Sequence, residues 1–309
     1  MTAQPDLTIT IVSWNTRELL RGCLQSIQQS NTYISYEIHV VDNASTDGSA
    51  EMVRAEFPTA QLTVNENNVG FAAANNQSWL AAKGRYWLLL NSDAEVKSGA
   101  LDMLVNFMDA HPQAGLTTAR LNNPDGTPQY CAQPVPSISR TLFEASRLHK
   151  ILPAAMRGRM MLSTYWTYDR AIRLGWTWGT ALIARRAAVE EAGALSKEFF
   201  MYGEDLEWCL RMRKKGWEIW FCPEAEVLHY GGQSSAQKWD ETGRGHKIES
   251  GFYQALRMHY SELYVRTLQA AQLFALSGEW LSAKLKGQVS AQYSASITHQ
   301  LRLLKKINQ

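Results

Sequence analysis

Arg85-Tyr-Trp-Leu-Leu-Leu-Asn-Ser-Asp93 is a short apolar run that stops at once on an amide, a hydroxyl and a carboxylate. A run of that kind predicts a strand buried on both faces, with its polar end exposed at the rim of a sheet. Upstream, Leu7-Thr-Ile-Thr-Ile-Val-Ser-Trp14 alternates β-branched residues and predicts a second such strand, and Thr16-Arg-Glu-Leu-Leu20 opens a helix. Tyr36 to Val41 predicts another strand, closed by the turn residues Asp42-Asn-Ala-Ser-Thr-Asp-Gly48, and a helical pattern follows from Ser49. Gln61 to Val64 reads as a short strand and Asn75 to Lys83 as a helix. Strands and helices thus alternate through the first third, which predicts an α/β fold with a Rossmann-like, mostly parallel sheet flanked by helices. Ligands of such sheets sit beyond the carboxyl ends of the strands, where Ser13, Trp14, Asn15, Asp42, Asn91, Ser92 and Asp93 all fall.

The 309 residues are enough to bury a core without disulfides or structural metal. With 31 Lys and Arg against 29 Asp and Glu, the net charge of +2 gives no global signal for nucleic acid. Cys23, Cys131, Cys209 and Cys222 form no C-x-x-C pair, so neither a zinc site nor a disulfide framework is indicated, and a reducing cytoplasm is expected. The first residues lack a basic segment leading into an apolar one, and no window of about 18 apolar residues occurs, so neither export nor a membrane span is expected. From Gly251 to Leu285 apolar residues recur at helical spacing (Phe252, Leu256, Leu263, Leu268), predicting a helical C-terminal extension.

Several polar clusters suit a nucleotide diphosphate, and each has a plainer reading. Ser13-Trp14-Asn15 can meet the polar edge of a base, or Asn15 can cap a helix. Asp42 can accept a hydrogen bond from a base or ribose, or belong with its neighbours to a turn in which Asp47 caps the next helix. Asn68-Val-Gly70-Phe71-Ala-Ala-Ala-Asn-Asn76 joins a permissive glycine to small residues at a helix start, which lets backbone approach a phosphate or simply pack. Asp93 can ligate Mg²⁺ or Mn²⁺, or cap a helix. Glu204 and Asp205 open a helical run; a carboxylate fixed there can act as general base, and the helix dipole should lower its pKa. His229, after a strand from Ala225 to Leu228, is either structural or a further ligand for Mn²⁺ beside Asp93.

Taken in order, Ser13-Trp-Asn, Val41-Asp-Asn-Ala-Ser-Thr-Asp-Gly, Asn68-Val-Gly-Phe-Ala-Ala-Ala-Asn-Asn, Leu90-Asn-Ser-Asp, Tyr202-Gly-Glu-Asp-Leu-Glu-Trp-Cys-Leu-Arg and His229-Tyr-Gly-Gly-Gln-Ser resemble family 2 glycosyltransferases, most of all the rhamnosyltransferase-like members. The resemblance runs from about Thr8 to Ser234. It implies a GT-A fold over residues 1–235, with a nucleotide-sugar half (1–100) and an acceptor half (101–235), followed by the helical extension 236–309. It implies inverting transfer from a nucleoside diphosphate sugar, dTDP-rhamnose or a UDP-sugar, with a divalent cation, Mn or Mg, as cofactor. Asp42 matches the base- or ribose-binding acid, Asn91-Ser92-Asp93 the D-x-D segment, and Asp205 the catalytic base. Trp178 and Gly179, with Glu204, match the acceptor side.

Two departures stand out: Asn91 replaces the first acid of D-x-D, and Glu207 stands where many relatives carry Asp. The Gln-x-x-Arg-Trp motif of processive members is missing, which implies one sugar per encounter. From Arg140 to Arg173 seven Arg or Lys face two acids, a segment suited to anionic lipid headgroups or a lipid-linked saccharide, or else a solvated surface. The C-terminal helices can pack, form a homodimer or touch the inner membrane face. The rival readings are a sugar nucleotidyltransferase, whose Gly-rich basic loop is missing after the first strand, and a silent sugar-nucleotide-binding module.

Overall fold

The computed structural model describes residues 4–232, 237 and 239–285. Its first half runs β1 (Leu7–Ser13), α1 (Arg17–Gln28), β2 (Tyr36–Asp42), α2 (Ser49–Glu56), β3 (Gln61–Val64), α3 (Phe71–Ala81), β4 (Tyr86–Asn91), β5 (Ala94–Val96) and α4 (Ala100–Ala110). The second half runs β6 (Ala114–Asn122), α5 (Ile138–Ala145), α6 (Ala154–Met161), β7 (Ile172–Leu174), β8 (Ala181–Arg185), α7 (Arg186–Ala192), α8 (Glu204–Lys214) and β9 (Glu218–His229). Two helices follow, α9 (Glu241–His259) and α10 (Glu262–Leu285). No helix among the described residues is long and apolar enough to cross a membrane.

One sheet runs β3-β2-β1-β4-β8-β6-β9-β5, with β7 on β9. β3, β2, β1 and β4 are mutually parallel, as the alternation of strand and helix predicts. β8 is antiparallel to both β4 and β6, and β6 is parallel to β9, so β6 and β9 share the direction of the first four. The carboxyl ends of β1, β2, β4 and β9 therefore open on one rim. β1 and β4 lie in the middle because they are apolar on both faces: Leu7, Ile9, Ile11, Trp87 and Leu88 are fully buried. The two threonines of β1 are accommodated by bonding inward, Thr10 Oγ1 lying 2.5 Å from Ser78 Oγ and accepting from Trp87 Nε1 at 2.7 Å.

Two elements are longer than their apolar patterns predict. α3 starts at Phe71 rather than Asn75, because the alanine run after Gly70 is itself helix-forming. β9 extends back to Glu218 past Pro223, which lies where its register with β6 shifts; a bulge frees a residue from the ladder and tolerates proline.

The C-terminal helices pack on α8, which carries Glu204 and Asp205. Tyr253, Ala255 and Leu256 of α9 and Val265 and Leu268 of α10 share an apolar cluster with Phe199, Leu206 and Leu210. At its centre two glycines meet: a Cβ on Gly251 would lie 2.2 Å from the Tyr202 carbonyl oxygen, and one on Gly203 would lie 2.5 Å from the Gly251 carbonyl oxygen. Gly203 also takes φ +101°, a conformation other residues avoid. Gly251→Ala should therefore push α9 from the Tyr202–Gly203 turn and cost about 1–3 kcal/mol in urea denaturation. Gly245→Ala on the same helix, where nothing lies within 4 Å, should instead stabilise by about 0.5–1 kcal/mol.

Candidate active site

The rim is built from cross-tied loops. After β1, Asn15 turns into the left-handed region (φ 52°) and its Oδ1 accepts from Thr46 N at 2.7 Å, while its own N–H donates to Ser45 Oγ at 2.9 Å. Asp47 holds both first helices by their amino ends, accepting from Arg17 N (2.8 Å) and Ser49 N (3.0 Å). A buried line of hydroxyls, Ser13 Oγ to Thr16 Oγ1 (3.0 Å) and on to Ser92 Oγ (2.9 Å), joins the end of β1 to the residue after β4. Trp14 lies half-buried beside it.

Asp42 ends β2 with its side chain almost wholly buried. One carboxylate oxygen accepts from Ser45 N at 3.1 Å; the other, Oδ1, is buried with no partner among the described residues. Burial pushes its pKa up, with the Ser45 bonds opposing. A buried oxygen without a donor is a costly feature that a hydroxyl or N–H of a bound ligand would relieve.

The 65–76 segment is held by Asn43, whose amide nitrogen donates to Asn68 Oδ1 (2.9 Å) and whose oxygen accepts from Val69 N (3.0 Å). The close approach that Gly70 permits is to protein, since a Cβ there would lie 2.4 Å from the Phe200 carbonyl oxygen, and Phe71 N donates to that same oxygen at 2.7 Å. Asn76 holds Leu195: Nδ2 donates to Leu195 O (2.7 Å) and Oδ1 accepts from Leu195 N (3.1 Å), which uses both ends of the amide.

Asp93 and His229 face each other, Oδ1 to Nε2 at 3.3 Å, both nearly buried. β5 pairs antiparallel with β9 so that Ala94 stands opposite His229, and Tyr230 N donates to Asp93 O at 2.9 Å. Asn91 adds its Nδ2 at 3.5 Å from His229 Nε2 and a buried Oδ1 without a partner among the described residues. No set of three His, Cys, Asp or Glu gathers among the described residues. A carboxylate and an imidazole so close still fit a divalent ion that takes its other ligands from phosphate and water, Mn²⁺ being the better match to imidazole. Gln233 and Ser234, the end of the His229 motif, lie outside the described residues.

Asp205 stands at the start of α8, half-buried. Its carboxylate accepts from Leu206 N at 2.7 Å, and the Gly179 backbone close by helps to lower its pKa. The position of a Cβ on Gly179 would be 3.8 Å from Asp205 Cβ and 3.5 Å from Phe71 Cε1, so Phe71, Gly179 and Asp205 form one wall. The next residue, Thr180, accepts from Asn91 N at 2.9 Å. The loop holding Trp178 and Gly179 thus joins the base candidate to the strand end that carries Asp93. The dipole argument for a lowered pKa fails here, because burial raises Asp205 by more than the backbone bonds lower it. Glu204 is raised as well, by burial first and by the Asp205 charge second, and its Oε2 is buried with no partner among the described residues.

Sequence reading missed Thr16, Asn43 and Gln129, whose roles are to hold other residues. Glu207 now has an account: buried, it pairs with Arg211 (2.8 Å) and His259 Nε2 (3.2 Å), binding α8 to the end of α9.

Residues 8–165 match the profile of the family described as Glycosyl transferase family 2. The N-acetylglucosaminyl-diphospho-decaprenol L-rhamnosyltransferase of Mycobacterium tuberculosis is 28% identical over 250 residues, 75% of this chain and 78% of that protein. The poly(ribitol-phosphate) beta-glucosyltransferase of Bacillus spizizenii is 31% identical over 127 residues, 39% of this chain and 20% of that protein. Among solved structures, the mannosyltransferase PcManGT from Pyrobaculum calidifontis, in complex with GDP-Man and Mn²⁺, superposes with TM-score 0.60 at 17% identity, covering 98% of this chain and 86% of that one. At that identity the likeness speaks for the fold alone, which is the GT-A fold expected above.

The raised carboxyl of Glu204 has a consequence for stability. A group whose pKa is higher folded than unfolded favours the fold below its unfolded pKa, and that contribution disappears as pH rises through the folded value. Glu204→Gln should therefore be more stable than wild type in chemical denaturation at about pH 8, with the gain shrinking toward about pH 5.

Proposed function

This chain belongs to glycosyl transferase family 2 and is a glycosyltransferase, and on that premise we propose that it transfers L-rhamnose from dTDP-rhamnose, with inversion and one sugar per encounter, to a hydroxyl of a lipid-linked saccharide in cell-surface polysaccharide synthesis. The observation that carries the proposal is the loop 178–180, which sets Gly179 against Asp205 and bonds the Asp93 strand end through Thr180. Rhamnose as the sugar and a lipid diphosphate saccharide as the acceptor are supported by the likeness to the mycobacterial enzyme, whose name states both for that protein.

In this reading Asp42, Ser13, Trp14 and Asn15 hold the nucleoside, with the unpartnered Asp42 oxygen accepting from ribose or base. Asn91, Ser92 and Asp93 face the diphosphate, and Asp93 with His229 holds Mn²⁺ or Mg²⁺, which when bound neutralises charge on the diphosphate. Asp205 takes the proton from an acceptor hydroxyl as that oxygen bonds to the anomeric carbon. The bond from that carbon to the diphosphate oxygen breaks, its electron pair stays with the diphosphate, and Asp205 later gives the proton to water. Trp178, Gly179, Phe71 and the neutral Glu204 line the acceptor side.

A carboxylate raised toward the working pH is a better proton acceptor while it remains ionised. Asp205→Asn should lower transfer from dTDP-L-rhamnose by about 10²–10⁴ while leaving donor-induced thermal stabilisation unchanged. Retention of wild-type turnover by that variant would remove Asp205 from the mechanism. In wild type, the rate should fall as pH drops through the Asp205 pKa, at a pH above the ordinary aspartate range because burial raises that pKa. A thermal-shift panel of dTDP-, UDP- and GDP-sugars with and without Mn²⁺ tests the donor.

Peripheral contact with the inner membrane face is supported by the α5–α6 region. Leu148, Ile151 and Met156 are 52, 80 and 51% exposed, interleaved with Arg147, Lys150 and Arg159. Apolar tips flanked by cations suit an anionic bilayer surface. Flotation with anionic vesicles should carry the protein up at low salt. Neutral vesicles should not, and the double variant Lys150→Glu, Ile151→Glu should stay behind; equal flotation of wild type and variant would reject this surface.

A further inference from the structure

The hairpin after β6 contains a hydrogen-bond chain with only one possible direction. Its tip turns at Gly126, where Asn123 N donates to Thr127 O at 2.7 Å and Gly126 N to Asn123 O at 2.9 Å. An aspartate carboxylate can only accept, so Thr127 Oγ1 donates to Asp125 Oδ1 at 2.6 Å. With its proton committed, that hydroxyl accepts from Asn123 Nδ2 at 2.9 Å. The Asn123 amide is thereby oriented with Oδ1 toward Gln129, whose Nε2 donates to it at 2.8 Å. The second Nε2 hydrogen of Gln129 goes to the His229 carbonyl oxygen at 2.9 Å. Both hydrogens of that amide are now used on acceptors, so its orientation is fixed and its Oε1 faces His229 Nδ1 at 2.7 Å.

An amide oxygen can only accept, so Nδ1 must carry a hydrogen. In a neutral imidazole the other nitrogen then bears the lone pair. That nitrogen, Nε2, is the one 3.3 Å from Asp93 Oδ1 and 3.5 Å from Asn91 Nδ2. We propose that Gln129 is a positioning residue: the chain from Asp125 through Thr127, Asn123 and Gln129 fixes the Nδ1–H tautomer of His229 and so presents the Nε2 lone pair to a divalent cation shared with Asp93. The proposal rests on the reading of Asp93 and His229 as a cation site. Metal-ligating histidines commonly have their second nitrogen tied in this way, and loss of such a partner weakens metal binding by about 10–100-fold.

The test uses the full chain and two readouts. In ¹⁵N-histidine NMR of the metal-free protein, at a pH where imidazole is neutral, wild type should show His229 as the Nδ1–H tautomer. Gln129→Leu should lose that preference. Mn²⁺ alone, titrated by the EPR signal of the free ion, should bind Gln129→Leu about 10–100-fold more weakly than wild type. An Nε2–H tautomer in wild type, or a Gln129→Leu variant that keeps both tautomer and Mn²⁺ affinity, would overturn the proposal. Failure of wild type to bind Mn²⁺ with the Nδ1–H tautomer intact would overturn the cation site and leave the tautomer device standing. Thermal melting of the variant separates these results from misfolding.

Discussion

Asp93 meets His229 because β5, a strand of three residues, turns back from the end of β4 and pairs antiparallel with the last residues of β9. Residues 136 positions apart in the chain share a corner of the sheet only through that short ladder. The remainder of the rim is arranged around this corner. The hydroxyl line from Ser13 reaches Ser92 one residue before it, Thr180 takes the amide of Asn91 two residues before it, and Gln129 reads the far side of its imidazole.

The same rim holds buried oxygens that the described residues leave unmatched: Asp42 Oδ1, Asn91 Oδ1 and Glu204 Oε2. An unsatisfied buried polar atom costs about 1–3 kcal/mol. The sheet beneath is apolar on both faces and can carry such costs; two of these oxygens lie at the ends of β2 and β4 and the third at the start of α8. Cost without compensation inside the fold is what a preorganised site looks like, since the bonds missing here are available to a ligand. Asn76 and Glu207 make the contrast: equally buried and polar, each has its groups matched by protein, and each serves the scaffold.

Much of this was legible in the sequence because it depends on local pattern. Apolar runs cut off by Asn15, Asp42 and Asn91 mark strands and their polar ends, and the alternation with helices sets the parallel half of the sheet. The acids of α8 were visible as a helix start, but their pKa was not: the dipole is local and can be read, whereas burial depends on packing with parts of the chain far off in sequence. The partners of Gly70 and Asn76 were hidden for a related reason. Small and amide residues at a helix start suit a phosphate or a protein backbone equally well, and the contacts with Phe200 and Leu195 come from elsewhere in the chain.

The residues that no pattern revealed are those that hold others in place. Gln129 and Asn123 lie in an exposed hairpin with nothing in their spacing to suggest a role, yet the direction of their bonds reaches His229. Gly251 lies in the C-terminal extension, yet its missing side chain lets α9 seat the turn that carries Glu204 and Asp205. The two halves of the proposed chemistry are therefore set from opposite sides: the Asp93–His229 corner by the hairpin after β6, the acids of α8 by α9. In the proposed mechanism the strand ends and the start of α8 supply the reactive groups, and elements outside their motifs fix the angles at which those groups would act.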